Sequence, residues 1–143
     1  MVEKHKMIAD FEQLTYSPEM LREVWNNQGH QFKGLISAGW TNEKVLQLID
    51  HIRKTKYAAE LFPGSSMGAL LLSKPRRGKL NYQQTLTVSF DNQRNKFIMK
   101  YSDWDIIDNK DEWEKSILWE AECIGEELTN KFDEFIAWNT NWR

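Results

Sequence analysis

The chain has 143 residues, of which 41% are hydrophobic and 13% aromatic, and its formal net charge is −2. This composition excludes a disordered chain, since disordered chains are poor in aromatics and strongly charged. The apolar run at 69–72 is far shorter than the roughly 20 residues of a membrane helix. The amino terminus lacks the apolar segment of a signal peptide, and Cys123 is the only cysteine. We therefore expect one cytoplasmic domain, spanning residues 1–143, without a disulfide.

Helical signals come first along the chain. Apolar residues within 3–14 are spaced for a short amphipathic helix. Ser17-Pro18-Glu19 is a typical helix start, because serine caps free amides, proline suits the first helical position and glutamate faces the positive helix end. Gly29 is the expected stop of this second helix.

A third helix is expected after an ambiguous stretch. Residues 30–40 fit either a turn of helix or a short extended piece. Thr41 then suits the capping position of a helix that runs to about Lys54 and can continue for one further turn. The proline, glycine and serines of 63–66 end this helical region.

The apolar pattern changes to a period of two after residue 68. It predicts strands at Ala69–Ser73, 80–90, 97–101 and 117–121, with a hairpin turn at 91–95. From about Cys123 the period becomes helical again, and one apolar stripe leads to Trp138. The order of elements predicts an α+β fold: an antiparallel meander of about four strands, with N-terminal helices and one C-terminal helix packed on it.

Charge is distributed unevenly along the chain. Residues 1–102 have a net charge of +6, whereas residues 103–134 have a net charge of −9. Aromatic residues are interspersed among these carboxylates, and aromatic anchors with charged surroundings are typical of protein interfaces. Trp104 is the most suggestive of them, because it stands between two aspartates in a predicted loop. The expected partner-binding residues are Tyr101, Asp103, Trp104, Asp105, Asp108, Asp111 and Glu112.

Two basic clusters support an alternative function. Nucleotide or nucleic-acid binding would use the phosphate attraction of Arg53, Lys54, Lys56, Lys74, Arg76, Arg77 and Lys79. The sequence pI near 5.9 and the neighbouring acidic stretch oppose this alternative, since both repel a polyanion.

Motifs for catalysis, metals and cofactors are absent from the sequence. The acidic loop lacks the spacing and glycine of a calcium loop, and no histidine lies in the acidic half. Residues 63–68 lack the Gly-Lys-Ser/Thr of a phosphate-binding loop. Glutamates surround Cys123 in sequence, which favours a structural thiol over a nucleophile. A small enzyme assembled from distant residues would require a deep pocket in which His30 or His51 faces carboxylates.

In size, acidity and mixed architecture the chain resembles small bacterial immunity proteins, which neutralise a toxin enzyme by binding it. The resemblance concerns general character only, so it covers no motif and transfers no residues. It implies a protein that acts by binding, and the missing motifs lead us to expect no cofactor and no metal. We therefore expect a protein-binding module whose acidic and aromatic loop contacts a partner with a basic surface.

Overall fold

The computed structural model describes residues 16–75 and 82–142. The helix expected within 3–14 lies outside them. Helix α1 spans Pro18–Ser37, α2 spans Lys44–Arg53 and α3 spans Leu128–Trp138. The strands are β1 (Phe62–Ser66), β2 (Ala69–Ser73), β3 (Gln84–Asp91), β4 (Lys96–Asp103) and β5 (Ile117–Cys123). Short 3-10 turns are formed by Lys56–Ala59, Trp104–Ile106, Lys110–Ser116 and Gly125–Glu127.

The α+β prediction is confirmed, with one strand more than expected. The five strands form an antiparallel meander in the order β1-β2-β3-β4-β5. The additional strand is β1, which holds the residues predicted only to end the helical region. Proline and glycine disfavour strands, but Gly64 pairs with Leu71 in a hairpin with β2, and the Gln31 side chain of α1 donates a hydrogen bond to Ser65. Together these contacts outweigh the local preference.

Helix α1 begins as predicted but ends later. The Ser17 hydroxyl accepts a hydrogen bond from the Met20 amide at 3.1 Å. The helix continues through Gly29 because Phe32, one turn beyond it, is fully buried in the core. The prediction of Gly29 as the stop was therefore wrong. Gly39 ends the helix instead: it has φ +82°, and the Trp40 amide reaches back to the Leu35 carbonyl at 2.9 Å.

Helix α2 begins two residues later than predicted, with Glu43 and not Thr41 at the capping position. Thr41 is buried, and the side-chain oxygen of Asn42 accepts a hydrogen bond from the Lys44 amide at 3.0 Å, so Asn42 supports the first turn. Leu61 follows α2 along the chain, and its carbonyl accepts a hydrogen bond from the Trp25 indole of α1 at 2.8 Å, within the core. This bond holds the start of β1 against α1.

The sheet buries one face and leaves the other uncovered within the described ranges. Alternation places Leu86 and Val88 of β3 and Phe97 and Met99 of β4 on the inner face, where each is at most 1% exposed. The three helices contribute their apolar faces to the same core. The opposite face carries small polar side chains such as Thr85, Thr87 and Ser89.

The turn between β1 and β2 generates a prediction about stability. Gly68 has φ +85°, and a β-carbon there would lie 2.6 Å from the Trp40 carbonyl oxygen. Gly68→Ala should lower the free energy of unfolding by about 1–3 kcal/mol, because it adds a steric clash to a disfavoured backbone conformation. Urea denaturation measures the change.

Gly29→Ala is the matched control for this substitution. Its added methyl would meet nothing within 4 Å outside its own helix, so it should stabilise the chain by up to about 1 kcal/mol through helix propensity. Equal effects of the two substitutions would contradict the geometry of the turn.

Candidate protein-interaction surface

The carboxylate-rich loop lies at one end of the sheet, between the last residue of β4 and the first of β5. Two short polar side chains shape it. Asp103 accepts a hydrogen bond from the Asp105 amide at 3.0 Å, and Asn109 accepts one from the Asp111 amide at 3.0 Å. Each bond starts a 3-10 turn, so the loop has a defined backbone course.

The neighbouring strand β3 holds this loop in place. The Trp104 amide donates to the Gln83 carbonyl at 2.8 Å, and the Gln84 side chain donates to Asp103 at 3.3 Å. Trp104 therefore leaves the sheet next to the residues that enter β3. This explains why two segments distant in sequence share one surface.

Large apolar side chains are exposed at this end of the sheet. Trp104 is 39% exposed, Trp113 49%, Tyr82 50% and Ile106 53%. Trp104 and Tyr82, with Ile107, line an open depression of about 600 Å³ that also includes Asp108 and Lys110. We call the group Tyr82, Asp103, Trp104, Asp105, Ile106, Asp108, Asp111, Glu112 and Trp113 the acidic–aromatic surface. Apolar groups concentrated on a surface commonly mark a binding site.

The structure removes Tyr101 from the predicted contact residues. Its side chain is 3% exposed, and its ring lies 5.2 Å from that of Phe135 and 5.4 Å from that of Trp142. Strand alternation places it on the inner face with Met99. Burial raises the pKa of Tyr101 above its ordinary value of 10.0. Tyr101 therefore supports the surface from inside and supplies no contact area.

Two carboxylates of the surface keep their charge available. Asp108 and Asp111 are exposed and form no ion pair with any residue in 16–75 or 82–142. Glu112 pairs with Lys115 at 3.3 Å, within its own turn. Asp105 interacts with the rest of the chain. The available negative charge is thus concentrated around Asp108 and Asp111.

Acidic residues beyond this loop are more often paired. Arg94 binds Glu122, and this pairing lowers the pKa of the Glu122 carboxyl. Lys131 binds Glu134 at 3.0 Å, within α3. The negative segment 103–134 is therefore partly neutralised by the protein itself outside the acidic–aromatic surface.

The basic clusters are only partly described. The Arg53 guanidinium donates to Asn26 at 3.0 Å and to Asp50 at 3.4 Å. The Lys74 ammonium donates to the Asn141 carbonyl, and Lys56 lies 5.4 Å from the centre of the Tyr57 ring. Lys54 is exposed, whereas Arg76, Arg77 and Lys79 lie outside the described residues. Arg53 and Lys74 are thus already used in contacts within the chain.

Among the described histidines, His51 contacts a carboxylate at the protein surface. His51 Nε2 lies 2.9 Å from Asp133 Oδ1 and joins α2 to α3. The two side chains are 34% and 58% exposed, so they form a surface contact between the two helices. The described residues contain no group of three or more side chains suited to hold a metal ion.

Sequence reasoning missed Tyr82 and Ile106, and it did not place Trp113 among the contact residues. Ile106 and Ile107 form a conspicuous apolar pair within a polar loop, which was a usable signal. Tyr82 had no such signal, because its proximity to Trp104 depends on the pairing of β3 with β4.

Comparison with known proteins identifies no similar protein. The chain matches no protein-family model, no curated protein and no solved structure. Among the helices of the described ranges, none combines the length and apolar character needed to cross a bilayer.

The environment of Cys123 predicts a poorly reactive thiol. The side chain is 4% exposed, and burial, with the nearby Glu127 charge, raises its pKa above 9.0. At about pH 8, iodoacetamide should alkylate the folded protein at least about a hundredfold more slowly than the urea-unfolded protein. Mass spectrometry over time measures both rates.

Ser66→Cys in a Cys123→Ser background is the matched control for this reactivity. Ser66 is exposed at the end of β1, so its thiol should react in the folded state. Folded-state alkylation of Cys123 at the rate of this control would contradict the burial.

Proposed function

We propose that this chain is a non-enzymatic module that binds a protein with a basic surface. The observation that carries the proposal is the exposure of Trp104, Ile106 and Trp113 around carboxylates without ion-pair partners in the described chain. Burial of such side chains against a partner would contribute affinity. A partner rich in lysine and arginine would match Asp108 and Asp111.

Charge and apolar area would act at different stages of binding. The carboxylates attract a basic protein over about a Debye length, roughly 10 Å at 0.1 M salt, and this raises the association rate. The indoles then lose water at the contact, which slows dissociation. The hydrogen bonds that hold the loop to β3 reduce the entropy lost on binding, because the backbone is already ordered.

An immunity-type inhibitor is the more specific form of this proposal. The small size, the mixed α+β architecture and the acidic contact surface support it, since a toxin enzyme that binds nucleic acid would itself carry a basic surface. A toxin-like protein encoded next to this chain would be the partner to test. Loss of its activity at equimolar amounts of this chain would support inhibition, and unchanged activity would contradict it.

Charge reversal tests the electrostatic part of the proposal. Asp108→Lys with Asp111→Lys should weaken partner binding by about tenfold or more and flatten its salt dependence, because two unpaired charges change sign. The partner is first captured from the source cell by the wild-type chain and purified. Calorimetry between about 0.05 and 0.5 M salt then compares the affinities.

The matched control reverses two exposed glutamates elsewhere, Glu23→Lys with Glu60→Lys. It changes the total charge equally, so it should leave affinity nearly unchanged. Equal losses of affinity for both double variants would show that only the net charge of the chain matters, and this would contradict the assigned surface. Strong binding of DNA by the wild-type chain at low salt would instead favour the basic clusters.

Truncation of an exposed indole tests the apolar part. Trp104→Ala should cost about 2 kcal/mol of binding free energy, or roughly thirtyfold in affinity, if the indole is buried at the contact. Trp40→Ala is the control, because Trp40 is 52% exposed but lies beside Gly68, at the opposite end of the sheet. An unchanged affinity for Trp104→Ala, with the fold intact by circular dichroism, would contradict the proposed surface.

A further inference from the structure

The two edges of the sheet differ in what protects them. β1 contains Pro63 and packs beside α1, where the Gln31 side chain donates to Ser65 at 3.2 Å. β5 contains neither proline nor glycine over its seven residues. It pairs with β4 on one side, and no strand among the described residues pairs with its other side. An open edge presents unpaired backbone groups that can accept another strand.

The uncovered face of β5 is apolar at one end and acidic along the rest. Leu118 is 44% exposed, and Glu120 and Glu122 alternate with it on this face. Glu122 is held by Arg94, but Glu120 forms no ion pair with a described residue, although it lies opposite Lys100 in the register. A strand added here would place alternate side chains beside these two glutamates.

The inner face of the same edge is aromatic. The Trp119 ring lies 5.1 Å from that of Phe135, and the Trp138 ring lies 6.2 Å from Phe135. Trp119 is half-buried, and Trp138 is 46% exposed. An added strand would therefore place its other set of alternate side chains beside apolar rings.

We propose that the edge of β5 that no described strand pairs accepts an extended segment of the partner protein, whose residues alternate between basic and apolar, as an added strand. This inference rests on the proposed function and specifies how the partner engages. The 3-10 turn Lys110–Ser116, which carries Trp113, leads directly into Ile117. The added strand would thus continue the acidic–aromatic surface along the sheet edge.

A second copy of this chain is a poorer occupant of the same edge. Antiparallel pairing of two β5 strands centred on Glu120 would bring the Glu120 side chains of both copies opposite each other. Like charges directly opposite each other are destabilising. The glutamates therefore select a basic occupant and at the same time protect the edge from self-association.

The test uses a capped peptide of alternating lysine and valine, about nine residues long, which exceeds the seven residues of β5. Binding is measured by calorimetry and by amide hydrogen exchange at about 0.05 M salt. The peptide should bind the wild-type chain and slow exchange in 117–123. No binding, or binding without this protection, would overturn the proposal.

Two N-methylated peptides separate strand pairing from simple charge attraction. In one, the backbone amides of the lysines are methylated, and in the other those of the valines. Only alternate amides of an added strand face β5, so one version should bind about as well as the parent and the other should lose about tenfold or more in affinity. Equal affinities for the two versions would overturn strand addition.

Charge reversal on β5 supplies the matched protein variant. Glu120→Lys should weaken peptide binding by about tenfold, whereas Glu23→Lys on α1 should leave it unchanged. Equal affinities of the two variants would overturn the assigned site. The peptide experiment does not involve the natural partner, so its failure is distinguishable from a failure of the Trp104 and Asp108 variants. A concentration-dependent dimer that Glu120→Lys abolishes would overturn the choice of occupant.

Discussion

The aromatic contact between β4 and the C-terminal part of the chain determines where the exposed loop begins. Tyr101 is enclosed by Phe135, Trp138 and Trp142, so the inner face of β4 remains in the core up to this residue. Two residues later Asp103 ends the strand and caps the following turn. This packing, together with the hydrogen bond from the Trp104 amide to the Gln83 carbonyl, sets the position at which Trp104 turns outward. The core thus positions a surface to which Tyr101 itself contributes no area.

Around this end of the sheet, apolar exposure and unpaired charge coincide. Elsewhere the protein pairs some of its own carboxylates, as Arg94 does with Glu122 and Lys131 with Glu134. Exposed pairs of this kind contribute little to stability, but they reduce the negative charge available there, whereas Asp108 and Asp111 form no ion pair with a described residue. A partner of the proposed kind would meet this acidic region bordered by indoles and by the edge of β5 that no described strand pairs. This combination supports the proposal of a protein partner over that of a polyanion.

Individual residues show how much of the acidic–aromatic surface could be predicted from the sequence. Trp104 and its flanking aspartates were predicted as loop residues, because a polar segment after an alternating strand favours a loop. The structure places Trp104 and Asp105 there, exposed, whereas Asp103 is the half-buried last residue of β4. Tyr101 was also assigned to the surface, although its alternation with Met99 and Phe97 placed it on an apolar face. Tyr82 could not be found, since its proximity to Trp104 follows from hydrogen bonds between residues twenty positions apart. The role of this surface in binding stays a prediction.

The sequence by itself determined the class of the fold and the order of its elements. Apolar residues repeat every two residues along a strand and every 3.6 along a helix, because one face of each element is buried. It also located the charge asymmetry, which needs only a count. Only the tertiary structure decided that α1 continues through Gly29, that 62–66 is a strand, and which sheet edge is left without a described partner strand. α1 continues because Phe32 is buried in a core built from segments far apart in sequence, which outweighs the local preference of glycine. The strand at 62–66 forms because its pairing with β2 and its packing against α1 outweigh the local preferences of proline and glycine.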